Sequence, residues 1–167
     1  MGEIRLNSVL EDLILNIEET VKRAKENLAG VVNSTMTETY WLIGKYIVES
    51  EQNGNIKATY GSKLLTTLSK ELTLRLGKGY SRPNLNNMRK FYLKYPDYHS
   101  VSDKLNWSHI CELIKIDDDL ERNFYEKEAV SEKWSVRELQ RQMESALFLR
   151  LAVSRDKEGI LSLAQEG

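Results

Sequence analysis

The sequence of 167 residues has one cysteine, two prolines and no long apolar segment. A single cysteine, Cys111, excludes an intramolecular disulfide framework and is typical of proteins in a reducing cytosol. No apolar run approaches the roughly 18 residues that a membrane-spanning helix needs. The first residues are acidic and amphipathic, unlike a signal peptide. We therefore expect a cytoplasmic protein that does not interact with a membrane.

Proline and glycine are too scarce to divide the chain into many strands, and helical periodicity dominates. Apolar residues spaced by three and four predict a long amphipathic helix near the N-terminus. They are Leu6, Leu10, Leu13, Ile17, Val21, Ala24 and Leu28. A second stripe, formed by Met36, Tyr40, Ile43 and Ile47, predicts a separate helix that ends at Asn53-Gly54.

A further pair of helices is predicted between residues 61 and 95. Leucines spaced along residues 61–76 indicate the first helix, and the Gly77-Lys78-Gly79 sequence ends it. Ser81 is a favourable N-cap for the second, and Pro83 suits a first helical turn. That helix should end near Tyr95, because the residue before a proline is disfavoured in helical conformation.

Three more helices are predicted beyond this pair. "WSHICELIKI" (107–116) is typical of a short buried helix with His109 near its start, and Asp117 to Asp119 supply acids for the next N-terminus. Ser135 and Glu138 have capping-box spacing, which predicts a last helix from 135 to about 150. The prediction is an all-α bundle of about seven or eight helices.

Charge is distributed unevenly along the chain, although the net charge is only -1. Between Lys57 and Lys94 there are nine basic residues and one acidic residue, Glu71, so this segment carries +8 and the remainder -9. A basic segment within a nearly neutral protein is typical of a polyanion-binding surface. Neutralisation of the segment by the acidic flanks within the fold is the alternative.

The helix predicted from residue 82 has two distinct faces when it is plotted at 100° per residue. Leu85, Met88, Phe91, Tyr92 and Tyr95 share one arc and should face the core, while polar residues occupy the other. Arginine and asparagine can bind base edges with two hydrogen bonds, and lysines and helix N-termini bind phosphates. The predicted nucleic-acid contacts are Arg82, Asn86, Asn87, Arg89 and Lys90 in the groove, with Lys78, Ser81 and Lys94 at phosphates.

Helix, glycine turn and helix over residues 61–95 is the element order of a helix-turn-helix unit. DNA is therefore the expected partner. The alternative is a helical dimerisation or protein-interaction module without nucleic-acid contact, since patterning determines burial and not the partner. The N-terminal stripe from Leu6 to Leu28 is compatible with a homodimer seam and equally with packing inside the domain.

Six sequence blocks resemble the N-terminal domain of the bacterial YhcG-like family, in the same order. They are "YWLIGKYIVESEQNG", "ATYGSKLLTTLSKEL", "GKGYSRPNLNNMRKFYLKYP", "LNWSHICELIKI", "RNFYEKEAV" and "KWSVRELQRQMESALFLRLA". The resemblance implies a helical domain at 1–152 with a winged-helix-like or helix-turn-helix unit, followed by a tail or linker at 153–167. It also implies a DNA-related role beside a PD-(D/E)XK nuclease domain.

Catalytic and metal-binding patterns are missing from these residues. No PD-(D/E)XK motif is recognisable, so we expect no enzymatic activity from this chain and a nuclease half outside it. His99, His109 and Cys111 lack zinc-ligand spacing, and Asp117 to Asp119 lack the calcium-loop pattern. We expect no metal, no cofactor and no small-molecule substrate.

Overall fold

The computed structural model describes the backbone of residues 2–52 and 61–154 and the side chains of 18–52 and 62–154. It confirms the all-α prediction: seven α-helices and no strand occur in the described residues. The helices are α1 (Gly2–Gln52), α2 (Leu64–Leu76), α3 (Arg82–Lys94), α4 (Trp107–Leu113), α5 (Asp119–Ser131), α6 (Val136–Glu144) and α7 (Leu147–Val153), with 3-10 turns at Gly61–Lys63 and Tyr98–Ser100. The winged-helix likeness stays a prediction. The Asn53-Gly54 turn and nearly all of the predicted tail lie outside the described residues.

Helix α1 corrects the prediction of two N-terminal helices, because it is one helix of 51 residues. The change of apolar stripe was wrongly interpreted as a break. The change of stripe marks a change in the face of α1 that packs against the rest of the fold: Leu28 is exposed, whereas Ile47 is buried. Gly44, which lies against α3, is about 160° around the helix from Leu28 at 100° per residue. No proline interrupts the helix, and Gly30 is tolerated within it.

The centre of the fold is the packing of α3 against the C-terminal half of α1. Leu85, Met88 and Phe91 of α3 are fully buried, as the helical wheel predicted. Gly44 of α1 permits the close approach, since a β-carbon there would overlap the carbonyl oxygen of Met88 and lie 2.6 Å from its carbonyl carbon. Helix α2 covers the same cluster with Leu65, Leu68 and Leu72.

The second half of the chain forms a core around Ile110, Phe124, Tyr125 and Leu139, all nearly inaccessible to solvent. His109 lies in the first turn of α4, as predicted. Its Nε2–H donates to the carbonyl oxygen of Trp134 at 2.9 Å, and its Nδ1 accepts the backbone N–H of Asn106 at 3.4 Å. This imidazole therefore connects the start of α4 to the segment that precedes α6.

The last predicted helix, 135 to about 150, is wrong as a single element, because α6 and α7 are separated at Ala146. Ala146 has φ 51°, a left-handed conformation that a non-glycine residue seldom adopts. The break brings Phe148 against the core, where its N–H donates to the Tyr125 hydroxyl at 3.2 Å. A tertiary contact thus interrupts a helical stripe that carries no local stop signal. The N-cap of α6 is observed, with the Ser135 side chain accepting the N–H of Glu138 at 3.2 Å.

Candidate nucleic-acid interface

Helices α2 and α3 are joined by a short turn, as the sequence predicted. Gly77 and Gly79 have φ 88° and 112°, conformations that glycine adopts at little cost. The Ser81 hydroxyl then accepts the N–H of Asn84 at 3.3 Å and caps α3, with Pro83 in the first turn. A polar residue and a proline therefore fix where α3 begins.

Four of the eight predicted contact residues lie on the outer surface of this unit. Lys78 in the turn and Arg82 and Lys90 on α3 are exposed, and Asn86 between them is half-buried. Residues 82, 86 and 90 are four apart and therefore follow one line along the helix. Within the described residues, Lys78, Arg82 and Lys90 form no ion pair, so their charges face solvent.

Arg89 is held by α1 rather than projecting freely. Its Nε–H donates to Oε2 of Glu51 at 2.6 Å, and each side chain is about one-third exposed. Glu51 lies one residue before the end of α1. The last turn of α1 therefore places an acid beside the basic face of α3.

Lys94 makes two contacts within the fold. Its Nζ donates to the carbonyl oxygen of Ile116 at 2.6 Å and to Oδ1 of Asp117 at 2.7 Å. The Lys94 side chain is only 18% exposed, which leaves little of it for a ligand. Its hydrogen bond and positive charge lower the pKa of the Asp117 carboxyl. Lys94 thus attaches the end of α3 to the segment between α4 and α5.

Asn87 faces α4, where its amide Nδ2 donates to Sγ of Cys111 at 3.7 Å. Burial raises the pKa of the Cys111 thiol to about 11 and outweighs the lowering effect of that hydrogen bond. A neutral thiol is a poor nucleophile. Asn87 and Cys111 therefore form a packing contact between two helices.

The structure places the eight predicted residues on one helix and its preceding turn, with different surroundings. Four lie outward, Ser81 caps the helix, Arg89 pairs with Glu51, and Asn87 and Lys94 bind neighbouring segments. Their assignment to nucleic acid stays a prediction.

Two residues that position this surface were missed. Glu51 lies 38 positions from Arg89 along the chain, and no sequence pattern pairs them. Asn84 connects the turn to α4, because its amide donates to the Gly79 carbonyl at 2.5 Å and its Oδ1 accepts the indole N–H of Trp107 at 3.0 Å. The sequence places the polar side chain of Asn84 in the first turn of α3, but it does not indicate which distant groups this side chain binds.

Metal-binding clusters and membrane-spanning helices are not found in the described residues. Across 18–52 and 62–154, no three His, Cys, Asp or Glu side chains are arranged to hold a metal ion. Among the helices of the described ranges, none combines the length and apolar content that crossing a bilayer requires.

The fold and the site define a helical domain with a basic face around a short turn between two helices. Comparison with known families identifies it further: the chain belongs to the DUF1016 N-terminal domain family, whose model matches residues 16–150. It is 34% identical over 173 residues to the protein named "Putative nuclease YhcG" from Escherichia coli (strain K12), a match over 84% of this chain and 46% of that relative. The chain thus spans about half the length of that protein. No solved structure matches it. The YhcG-like resemblance is confirmed.

Proposed function

We propose that this domain binds DNA through the outer face of α3 and the turn before it, and that it carries no catalytic residues of its own. The observation that supports the proposal most directly is the solvent-facing group of Lys78, Arg82, Asn86 and Lys90. From 61 to 94 the chain has eight basic residues and one acid, Glu71. Such a surface attracts phosphates, because neutralising them releases the counterions condensed on DNA.

Each outward residue has a role that suits its chemistry. Arg82 and Asn86 can form paired hydrogen bonds with guanine and adenine edges, respectively. Lys78 and Lys90 neutralise phosphates on either side, and the exposed Ser81 at the start of α3 adds the N-terminus of a helix.

The other three predicted contacts require a change in the fold before they reach DNA. Arg89 reaches it once Glu51 releases the guanidinium. Asn87 and Lys94 would first have to break their contacts with Cys111 and with Asp117. We therefore place Asn87 and Lys94 behind the outer face, as residues that position α3.

A titration of the full 167-residue chain with a fluorescent 30-base-pair duplex tests this proposal. The Arg82→Glu, Lys90→Glu double variant should bind at least tenfold more weakly at low salt, while the melting temperature stays within a few degrees, since both residues are exposed. Arg137→Glu is the control for a change of charge elsewhere, because Arg137 is exposed on α6 outside the basic segment. Equal losses in both variants would contradict a site on α3.

A second candidate function is self-association or partner binding through α1. The observation that favours it is a set of apolar side chains at the solvent: Val21, Leu28, Val31 and Val32 are 47%, 65%, 62% and 52% exposed. Contiguous exposed apolar residues on a helix are typical of an interaction surface. A mass that depends on concentration, with no affinity for the duplex, would support this function in place of DNA binding.

A further inference from the structure

The N-terminal half of α1 is not covered by the rest of the fold where its side chains are described. Every described side chain from 18 to 33 is exposed, and the helix continues back to Gly2. An isolated helical segment in water gains little from propensity alone and is usually stabilised by packing of its apolar face. Something should therefore cover the stripe that contains Val21 and Leu28.

The spacing of the stripe in the sequence suggests what covers it. Leu6, Leu10, Leu13, Ile17, Val21, Ala24 and Leu28 are separated by four, three, four, four, three and four residues. This series of spacings is the same when it is counted from either end, and Ile17 is its midpoint. The stripe also repeats every 11 residues, at 6, 17 and 28, which corresponds to about 3.67 residues per turn and a right-handed supercoil.

A second copy of this chain is the partner whose stripe matches in reverse. If two copies lie antiparallel with Ile17 at the twofold axis, position 6 faces 28, position 10 faces 24 and position 13 faces 21. All of these positions are apolar. An isologous twofold contact needs this self-complementarity.

Charge along α1 also favours the antiparallel direction. Residues 3–19 contain five acids and one base, whereas residues 20–28 contain three bases and one acid. The described basic side chains now pair only within their own helix and at exposed positions, Arg23 with Glu19 and Lys22 with Glu26. An antiparallel partner would bring its acidic segment alongside Lys22 and Arg23. A parallel partner would place like charges together.

The packed domain leaves room for a second copy. Gly44, which contacts α3, lies about 160° around the helix from Leu28 at 100° per residue. The apolar stripe therefore faces away from the side of α1 that α3 covers. The stripe from 6 to 28 extends about 33 Å at 1.5 Å per residue. This length contains two 11-residue repeats of about three helical turns each.

We propose that two copies of this chain pair antiparallel through the N-terminal halves of α1, centred on Ile17. The pairing gives the second candidate function its geometry and does not depend on DNA binding. In this dimer the paired α1 helices would form a rod with one basic α3 face at each end. That arrangement suits a dimer that binds two DNA segments.

Sedimentation of the full chain over a range of concentrations gives the first test. We expect a species of twice the 19.3 kDa chain mass, and a single chain for the Val21→Glu, Leu28→Glu variant. Both side chains are exposed, so the variant should keep its helical content and melting temperature. Asn33→Glu, an exposed position on the opposite side of α1, is the control and should remain dimeric.

Disulfide cross-linking determines the direction of pairing. Leu6→Cys and Leu28→Cys are made separately in a Cys111→Ala background and oxidised alone and as a mixture. The antiparallel pair predicts cross-links only in the mixture. A monomer at all concentrations, a dimer that survives Val21→Glu, Leu28→Glu, or cross-links within each variant alone would overturn the proposal. The duplex titration is measured on the same variants, so loss of pairing and loss of DNA binding are seen separately.

Discussion

Arg89 on α3 and Glu51 at the end of α1 form an ion pair of 2.6 Å across the two helices that pack most closely. The pair places an acid at the edge of the proposed DNA-binding face and occupies a guanidinium that could otherwise bind a phosphate or a guanine. A ligand that binds Arg89 must therefore displace Glu51. This contact gives a direct way to strengthen DNA binding.

Glu51→Gln should tighten binding to the duplex severalfold at low salt, because it removes a negative charge near α3 and releases Arg89. Stability should change little, since ion pairs in contact with solvent contribute about 0–1 kcal/mol. Fluorescence anisotropy measures the affinity. Glu49→Gln, which removes an exposed acid of α1 that pairs with Lys45, controls for the change in net charge. Unchanged or weaker binding by Glu51→Gln would exclude Arg89 from the interface.

Gly44→Ala should destabilise the domain, because the new β-carbon would overlap the backbone of Met88 and lie 3.2 Å from Cβ of Tyr92. Overpacking of this kind costs about 1–3 kcal/mol, which thermal unfolding followed by circular dichroism can resolve. Gly30→Ala is the matched control. No atom lies within 4 Å of its added β-carbon, so the same substitution should stabilise the helix by up to about 1 kcal/mol. An equal response at both positions would mean that α1 and α3 do not pack as described.

Lys94 and Lys90 should respond oppositely to substitution by alanine. Lys94→Ala removes the hydrogen bond to the Ile116 carbonyl and exposes the contact between α3 and the loop before α5, so it should lower the melting temperature. Lys90→Ala leaves the fold unchanged and should weaken duplex binding, with a shallower salt dependence by about one counterion. If Lys94→Ala instead weakened binding at full stability, Lys94 would belong to the phosphate-contacting group.

Cys111 should react slowly with iodoacetamide at pH 8. Burial raises its thiol pKa to about 11, so the thiolate that reacts is scarce until the pH approaches that value. The rate should increase about tenfold per pH unit up to that range, because each unit below the pKa reduces the thiolate tenfold. Mass spectrometry of the native protein gives the rate, with the urea-unfolded chain as reference. Equal rates for native and unfolded protein at pH 8 would contradict the partly buried position beside Asn87.

Local signals predicted α3 almost completely. Ser81 and Pro83 define its start, Pro96 limits its end, and the three-residue spacing of Leu85, Met88 and Phe91 determines its buried face. These features depend on backbone hydrogen bonding and burial within a few residues, which a sequence states directly.

Contacts between distant segments explain what was missed. The length of α1 depends on which face each half presents to a neighbour, and the break at Ala146 depends on the contact of Phe148 with Tyr125. Similarly, Arg89 has the spacing of an outward residue but meets Glu51 from another helix. A helical wheel gives the direction of a side chain and not the group that it encounters.

The salt dependence of duplex binding tests the central proposal most directly. The full chain is titrated against the 30-base-pair duplex from low to physiological ionic strength. We predict binding whose logarithmic salt slope reflects three or more phosphate contacts, at about 0.9 per contact for duplex DNA, and a smaller slope for Arg82→Glu, Lys90→Glu. An absence of salt-sensitive binding at low ionic strength, or the same slope in both proteins, would contradict a DNA-binding role for α3.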